Sequence, residues 1–244
     1  MLRKILFFGL MTVAGTVFGQ NRNTADKVDR PNTKKINFGV RAGFNSSMFM
    51  VSELKIKDVT IDEVQNNYKI GYFGAIFMRF NIKKHFIQPE ASYNVSKGEI
   101  TFDKLGSQHP AIEPDYASVQ SVLHSIDFPI LYGYNVVKKG PYGMSIFAGP
   151  KLRYLWGKHN EITFHNFDQK GIHEELYPFN VSVVIGVGVN ISRIFFDFRY
   201  EQGVGNISKS IVYDNINSDG STGVSNIIFR RRDSALSFSL GFIL

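Results

Sequence analysis

Between Ile36 and Leu244, apolar and polar residues trade places one by one through eight separate stretches. A side-chain period of two is the signature of a β-strand with unlike faces. The predicted strands cover residues 36–49, 68–80, 85–97, 118–134, 142–156, 179–191, 194–202 and 234–244. The joints alternate long and short. Residues 50–67, 98–117, 157–178 and 203–233 form four large connections, and 81–84, 135–141 and 190–193 form tight turns. That rhythm predicts an all-β fold: an eight-stranded antiparallel up-and-down transmembrane β-barrel of the outer-membrane type, occupying residues 36–244.

One face of each strand is made of Val, Ile, Phe and Leu without charge. The other carries Gly, Ser, Asn and charges of both signs. In the sixth strand, Val181, Val183, Ile185, Val187 and Val189 alternate with Asn180, Ser182, Gly186 and Gly188. A soluble lipocalin-like barrel has the same period with the faces exchanged. Strands of this length suit a tilted bilayer crossing better than a soluble sheet. A charge on the lipid side would cost about 2–4 kcal/mol at mid-bilayer. The second strand is apolar on both faces, with Ile70, Tyr72 and Ile76 against Phe73, Ala75 and Phe77, which leaves its register the least determined. The third strand places Ile87, Ala91, Tyr93 and Val95 outside. Pro129 has no N–H for the ladder, so a bulge or local break is expected there. Aromatics near strand ends, such as Tyr68, Tyr132, Tyr142 and Trp156, fit two interfacial girdles.

The front of the chain reads differently. Arg3 and Lys4 precede an apolar run from Ile5 to Phe18, the form of a secretory signal peptide over residues 1–19, cut near Gly19 and Gln20. Residues 20–35 are polar and patternless, as in a disordered periplasmic tail. The chain has no cysteine, so an exported fold must hold without disulfides. The formal net charge is +7. Lys34, Lys35, Lys83, Lys84, Lys138, Lys139 and Arg193 gather at the short-turn rim or at the entry to the first strand. Two readings of that collar stand open: a seat for anionic phospholipid head groups, or lysine-rich tight turns and nothing more. Export, and the lack of basic residues interleaved with aromatics, set nucleic acid aside as a partner.

Chemistry is sparse. Nine charges are predicted to face the lumen: Arg41, Arg79, Glu90, Asp127, Lys151, Arg153, Asp197, Arg199 and Glu201. Five are basic and four acidic, so they fit a structural network of ion pairs filling a narrow barrel. A conduction path through them would need a wider lumen. Arg230, Arg231 and Arg232 form a cluster near the outer rim with the chemistry to clamp lipopolysaccharide phosphates, or simply to extend a charged strand. His159, His165 and His173 share the third large connection with Glu161, Asp168, Glu174 and Glu175. Their spacing fits no zinc pattern, and a solvated loop accounts for them better. There is no G-x-S-x-G and no H-E-x-x-H, and no nucleophile–base pair emerges. No catalytic residue, metal or cofactor is therefore predicted, and the chain reads as non-enzymatic.

Several segments carry a resemblance when taken together: G-V-R-A-G-F-N at Gly39 to Asn45, I-Q-P-E-A-S-Y at Ile87 to Tyr93, I-D-F-P-I-L at Ile126 to Leu131 and A-G-P at Ala148 to Pro150. With the late aromatic strand followed by a glycine, they resemble the PorT-like outer-membrane β-barrel family of Bacteroidota over most of residues 36–244. The resemblance implies a small barrel in the cell outer membrane. Its partners would be outer-membrane lipids and secretion-system proteins, since the family's namesake is implicated in type IX protein secretion. It implies no catalytic set. The alternative is a surface adhesin or ligand-binding barrel that uses the four long extracellular loops.

Overall fold

The alternating stretches form strands in a computed structural model that describes residues 35–56, 59–60, 64–103, 116–139, 141–157, 160–165, 170–216 and 222–244. Twelve strands result. They are β1 (Ile36–Ile56), β2 (Val59–Thr60), β3 (Val64–Ile82), β4 (His85–Asp103), β5 (Tyr116–Lys139), β6 (Tyr142–Leu155), β7 (Glu161–His165), β8 (Lys170–Leu176), β9 (Phe179–Ile191), β10 (Ile194–Gly203), β11 (Ser208–Ile216) and β12 (Thr222–Ile243). Eight of them close a ring in the order β1-β3-β4-β5-β6-β9-β10-β12, with β12 returning antiparallel to β1. Closure leaves no unpaired edge around the wall, the condition for a sheet to cross hydrocarbon. The predicted signal peptide and tail lie outside the described residues.

The predicted facing holds on every strand of the ring, with Val95 the exception: predicted outside, it is buried. Phe44, Ile76, Phe128, Val183, Phe198 and Phe238 point outward and stay exposed, while Asn94, Asp127, Ser182, Asp197 and Ser239 point inward and are buried. The second predicted strand, now within β3, also keeps its register: Phe73, Ala75, Phe77 and Arg79 are inside. The inward phenylalanines of the ring have specific seats. Phe77 lies opposite Gly39 on β1, Phe86 opposite Gly133, Phe195 opposite Gly241 and Phe147 opposite Gly186. A Cβ built on Gly133 would meet the Phe86 ring at 2.0 Å, and one on Gly241 would meet Phe195 at 2.2 Å. The far end of each ring lies over a position that has no side chain, so glycine and phenylalanine fill the narrow lumen as a pair.

Strand length is where the sequence reading falls short. β1 runs to Ile56 and β4 to Asp103, while β3 begins at Val64 and β12 at Thr222. Much of what reads as large connections is therefore strand. β7 pairs with β5, and β8, β11 and β12 form a separate ladder. The reason is the solvent. Above the lipid band the outward face is polar, and the inward face becomes apolar at Ile100, Ala117, Val119 and Leu123, which are all buried. A pattern tuned to greasy-out and polar-in loses the strand where the contrast reverses.

Local irregularities bend the wall. Four steps on β3 (Tyr68 to Tyr72) oppose three on β4 (Val95 to Gly98), a bulge with one extra residue. Val95 keeps its outward parity here but is only 1% exposed. Pro129 brings a gap in the pairing and no bulge: β5 holds one register with β4 and with β6 on both sides of it. The bulge of β5 falls instead between Asn135 and Val137, inside the predicted turn, which shrinks to the residues between Lys139 and Tyr142.

Candidate functional site

The interior of the ring is the chemically dense part of the molecule, and it is built from inward positions of seven strands. Near the short-turn end, Glu90 of β4 is central. Arg41 donates to its Oε2 from Nη2 at 2.7 Å, and Arg199 reaches both oxygens at 2.9 Å. Gln88 adds a bond to Oε1 at 2.6 Å. Asp197 lies 2.7 Å from Arg199 and 3.8 Å from Arg41, and accepts from the Ser239 hydroxyl at 2.6 Å. Aromatic faces complete the tier: the Arg41 guanidinium sits 4.7 Å from the Phe73 ring centre and that of Arg199 sits 5.1 Å from Phe147. A carboxylate held between two guanidiniums in this way is stabilised by charge-assisted bonds that offset its loss of water.

A second tier lies further up. Asp127 of β5 is 3.2 Å from both Lys151 and Arg153 on β6. Lys151 also pairs with Glu201, and Arg153 with Asp233 and, at 3.6 Å, with Glu201. Asn94 joins the tier by donating to Asp127 at 3.3 Å and accepting from Asn45 at 2.8 Å. The gap between the tiers, bounded by Arg41, Asn94, Asp127 and Lys151, is about 20 Å³. A water needs ~10–15 Å³ of such space, so about one fits there.

A third contact closes the top. Arg231 of β12 is fully buried; its Nη2 lies 2.8 Å from Glu174 Oε2 and its Nη1 donates to Ser121 at 3.0 Å. This corrects the grouping of the three arginines. Arg231 turns into the barrel and offers nothing to an external phosphate, while Arg232 is exposed on the same strand. The side chain of Arg230 lies outside the described residues. Glu174, grouped by sequence with the loop histidines, is the partner of Arg231. Among the described residues no cluster of three metal-ligating side chains forms; His159, Asp168 and the side chain of His173 lie outside them.

All nine sequence-predicted lumen charges thus face the interior, eight of them in ion pairs. Arg79 alone makes none among the described residues and instead donates to Gln88 Oε1 at 2.5 Å. Two members of the network, Asp233 and Arg231, escape a reading that begins the last strand at Ser234. The signal was present. The inward set Gly241, Ser239, Ser237 and Ala235 extends by parity to 233 and 231. Outside the membrane, the Gln120 amide and the Lys69 ammonium hold the Glu99 carboxyl below the usual carboxylate range.

The closed ring and its outward apolar band define an outer-membrane β-barrel. The family model for the outer membrane protein beta-barrel domain matches residues 18–209, and the chain belongs to that family. No curated protein matches the chain. Among solved structures, OprG from Pseudomonas aeruginosa is similar at a TM-score of 0.52 and 10% identity, over 86% of this chain and 97% of that one. Neisserial surface protein A aligns at 0.39 and 13% identity, covering 84% and 96%. Ail of Yersinia pestis aligns at 0.34 and 9%, covering 86% and 100%. OprG supports the fold; the other two scores are too low to carry an argument.

Proposed function

We propose that this outer-membrane barrel is a non-enzymatic, non-conducting docking protein that works through the part of its wall standing above the lipid. The observation that supports the reading is the charge-paired lumen: ion pairs cross it at three levels, which turns attention to the outer collar formed by the ends of β1, β4, β5 and β12 with β7, β8 and β11. In planar bilayers the refolded chain gives no stepwise conductance; regular ion-conducting steps would refute the docking reading.

The partner we propose is a component of type IX protein secretion, with the barrel as an accessory. Support comes from the PorT-like motifs, of which Glu90 and Asp127 are the acidic centres of the first two tiers. Deleting the gene and assaying surface-anchored cargo tests it: retained cargo is expected, and unchanged secretion removes the transport role. The second reading, an adhesin or ligand-binding barrel, is favoured by the long strands carrying their connections clear of the membrane. Trimming the β11–β12 connection and measuring surface binding separates the two. In either case residues 1–19 serve as the export signal, 20–35 remain periplasmic, and Arg232 with Arg230 meets lipopolysaccharide phosphates at the outer rim.

A further inference from the structure

The two lower tiers do not balance separately. Near the short turns, three cations (Arg41, Arg79, Arg199) face two carboxylates (Glu90, Asp197); in the second tier, two cations (Lys151, Arg153) face three carboxylates (Asp127, Glu201, Asp233). The excess cation below is Arg79. It is 6% exposed, its guanidinium lies 4.4 Å from the Phe86 ring centre, and Glu90 beyond Gln88 is already taken by Arg41 and Arg199. A buried charge without a counter-ion is costly unless something supplies one.

Arg79 forms part of the lining of a cavity of about 40 Å³ that opens among the short turns. Asn81, Asn135, Lys138, Asn190 and Ser192 line it too, and no carboxylate does. At ~10–15 Å³ for one water, the space suits about three waters or one tetrahedral oxyanion. Four further basic side chains stand on the rim around it. Lys83, Lys84, Lys139 and Arg193 are exposed and make no ion pair among the described residues. Backbone and side-chain bonds fix the turns beside one another: Asn135 N–H donates to Lys84 O at 2.7 Å, Lys138 Nζ to Lys83 O at 3.4 Å, and Ser192 N–H to Pro141 O at 2.6 Å. Like charges held this close focus a positive potential on the mouth.

We infer that the short-turn mouth is an oxyanion site of the phosphate class, with Arg79 as its buried cation, Lys138 at its lip and the rim lysines drawing the anion in. In outer-membrane barrels the short turns face the periplasm, where both free phosphate and the phosphodiester head groups of the inner leaflet offer this chemistry.

The test uses the full chain refolded in zwitterionic detergent and titrated with inorganic phosphate, with chloride at equal ionic strength as control. Saturable broadening of the phosphorus-31 line and a rise in unfolding temperature are expected with phosphate and not with chloride. Arg79→Gln is expected to weaken binding about tenfold, the loss of one charge-assisted bond. Lys138→Gln, on the surface, is expected to weaken it about threefold with gel mobility before boiling unchanged; it decides the matter if the first variant does not fold. A parallel arm places the chain in phosphatidylcholine vesicles with and without phosphatidylglycerol. Protection by phosphate in detergent assigns the free anion, and protection by phosphatidylglycerol alone assigns the lipid head group. If neither protects the wild type, or if phosphate binds the folded variants as tightly as the wild type, the inference is overturned.

Discussion

The same strands obey opposite rules at their two ends. Within the lipid band, β4 puts Gln88, Glu90, Ser92 and Asn94 inside and Ile87 and Tyr93 outside. A few residues on, it buries Ile100 and turns Lys97 and Glu99 outward. β5 does the same in reverse order, from Val119 and Leu123 to Ser125 and Asp127. The β3–β4 pairing shifts by one residue between the two regions, and the surroundings change with it. In hydrocarbon there is no gain from hiding apolar surface, so the polar groups must satisfy one another within the ring. In water the hydrophobic effect returns, and the collar buries Ile100, Ala117, Val119 and Leu123 beside the Arg231–Glu174 pair.

If this comparison is right, the costliest lesion lies in the lipid band and is polar. Glu90→Ala strands Arg41 and Arg199 as buried unpaired cations, and is expected to destabilise the barrel by about 3–5 kcal/mol. The urea midpoint of the chain refolded into vesicles reads this directly, and an unchanged midpoint would break the lower tier's role. Next comes the outward face at the same depth: Phe198→Lys is expected to cost about 2–4 kcal/mol in vesicles. In the collar the sensitive positions are apolar and inward. Ile100→Ala is expected to cost about 2 kcal/mol, the low end for such truncations, while Lys97→Gln on the outward side should stay within about 0.5 kcal/mol. A reversed order, with Lys97 the sensitive member, would refute the inversion.

The smallest effect concerns pH. The Glu99 carboxyl is held low by Gln120 and then Lys69. A depressed carboxylate adds stability that is present above its unfolded value and lost as pH falls through the folded one. The difference in unfolding temperature between wild type and Glu99→Gln should therefore hold at neutral pH and fade only in acid below the ordinary glutamate range. Since Lys69 is half exposed, the effect is slight.

The facing of each strand was legible in the sequence because lipid and lumen impose a contrast that every second residue records. Even the ambiguous second strand was placed correctly, although its inward phenylalanines hid the contrast. They sit against glycines of the next strand and against the guanidiniums of Arg41 and Arg79, and neither pairing has a local pattern. Strand ends were illegible where the contrast inverts, which turned β7, β8, β11 and the first half of β12 into loops. The nine lumen charges could be listed by parity, but their partners could not. Which carboxylate meets which cation depends on the register between distant strands, as in the Arg199–Glu90 pair from β10 and β4. Arg231 shows the cost of stopping a strand early: read as a loop residue it looks like a surface cation, while by the parity of β12 it points inward.

Because the chain has no cysteine, single-cysteine variants carry nitroxide labels cleanly. Labels at Val183 and Ser182, neighbours on β9, place the two faces against each other in one experiment. The account predicts that Val183 collides freely with dissolved oxygen and not with an aqueous nickel complex, as in acyl chains, and that Ser182 is shielded from oxygen. A Val183 label open to nickel beside a Ser182 label bathed in oxygen would contradict it.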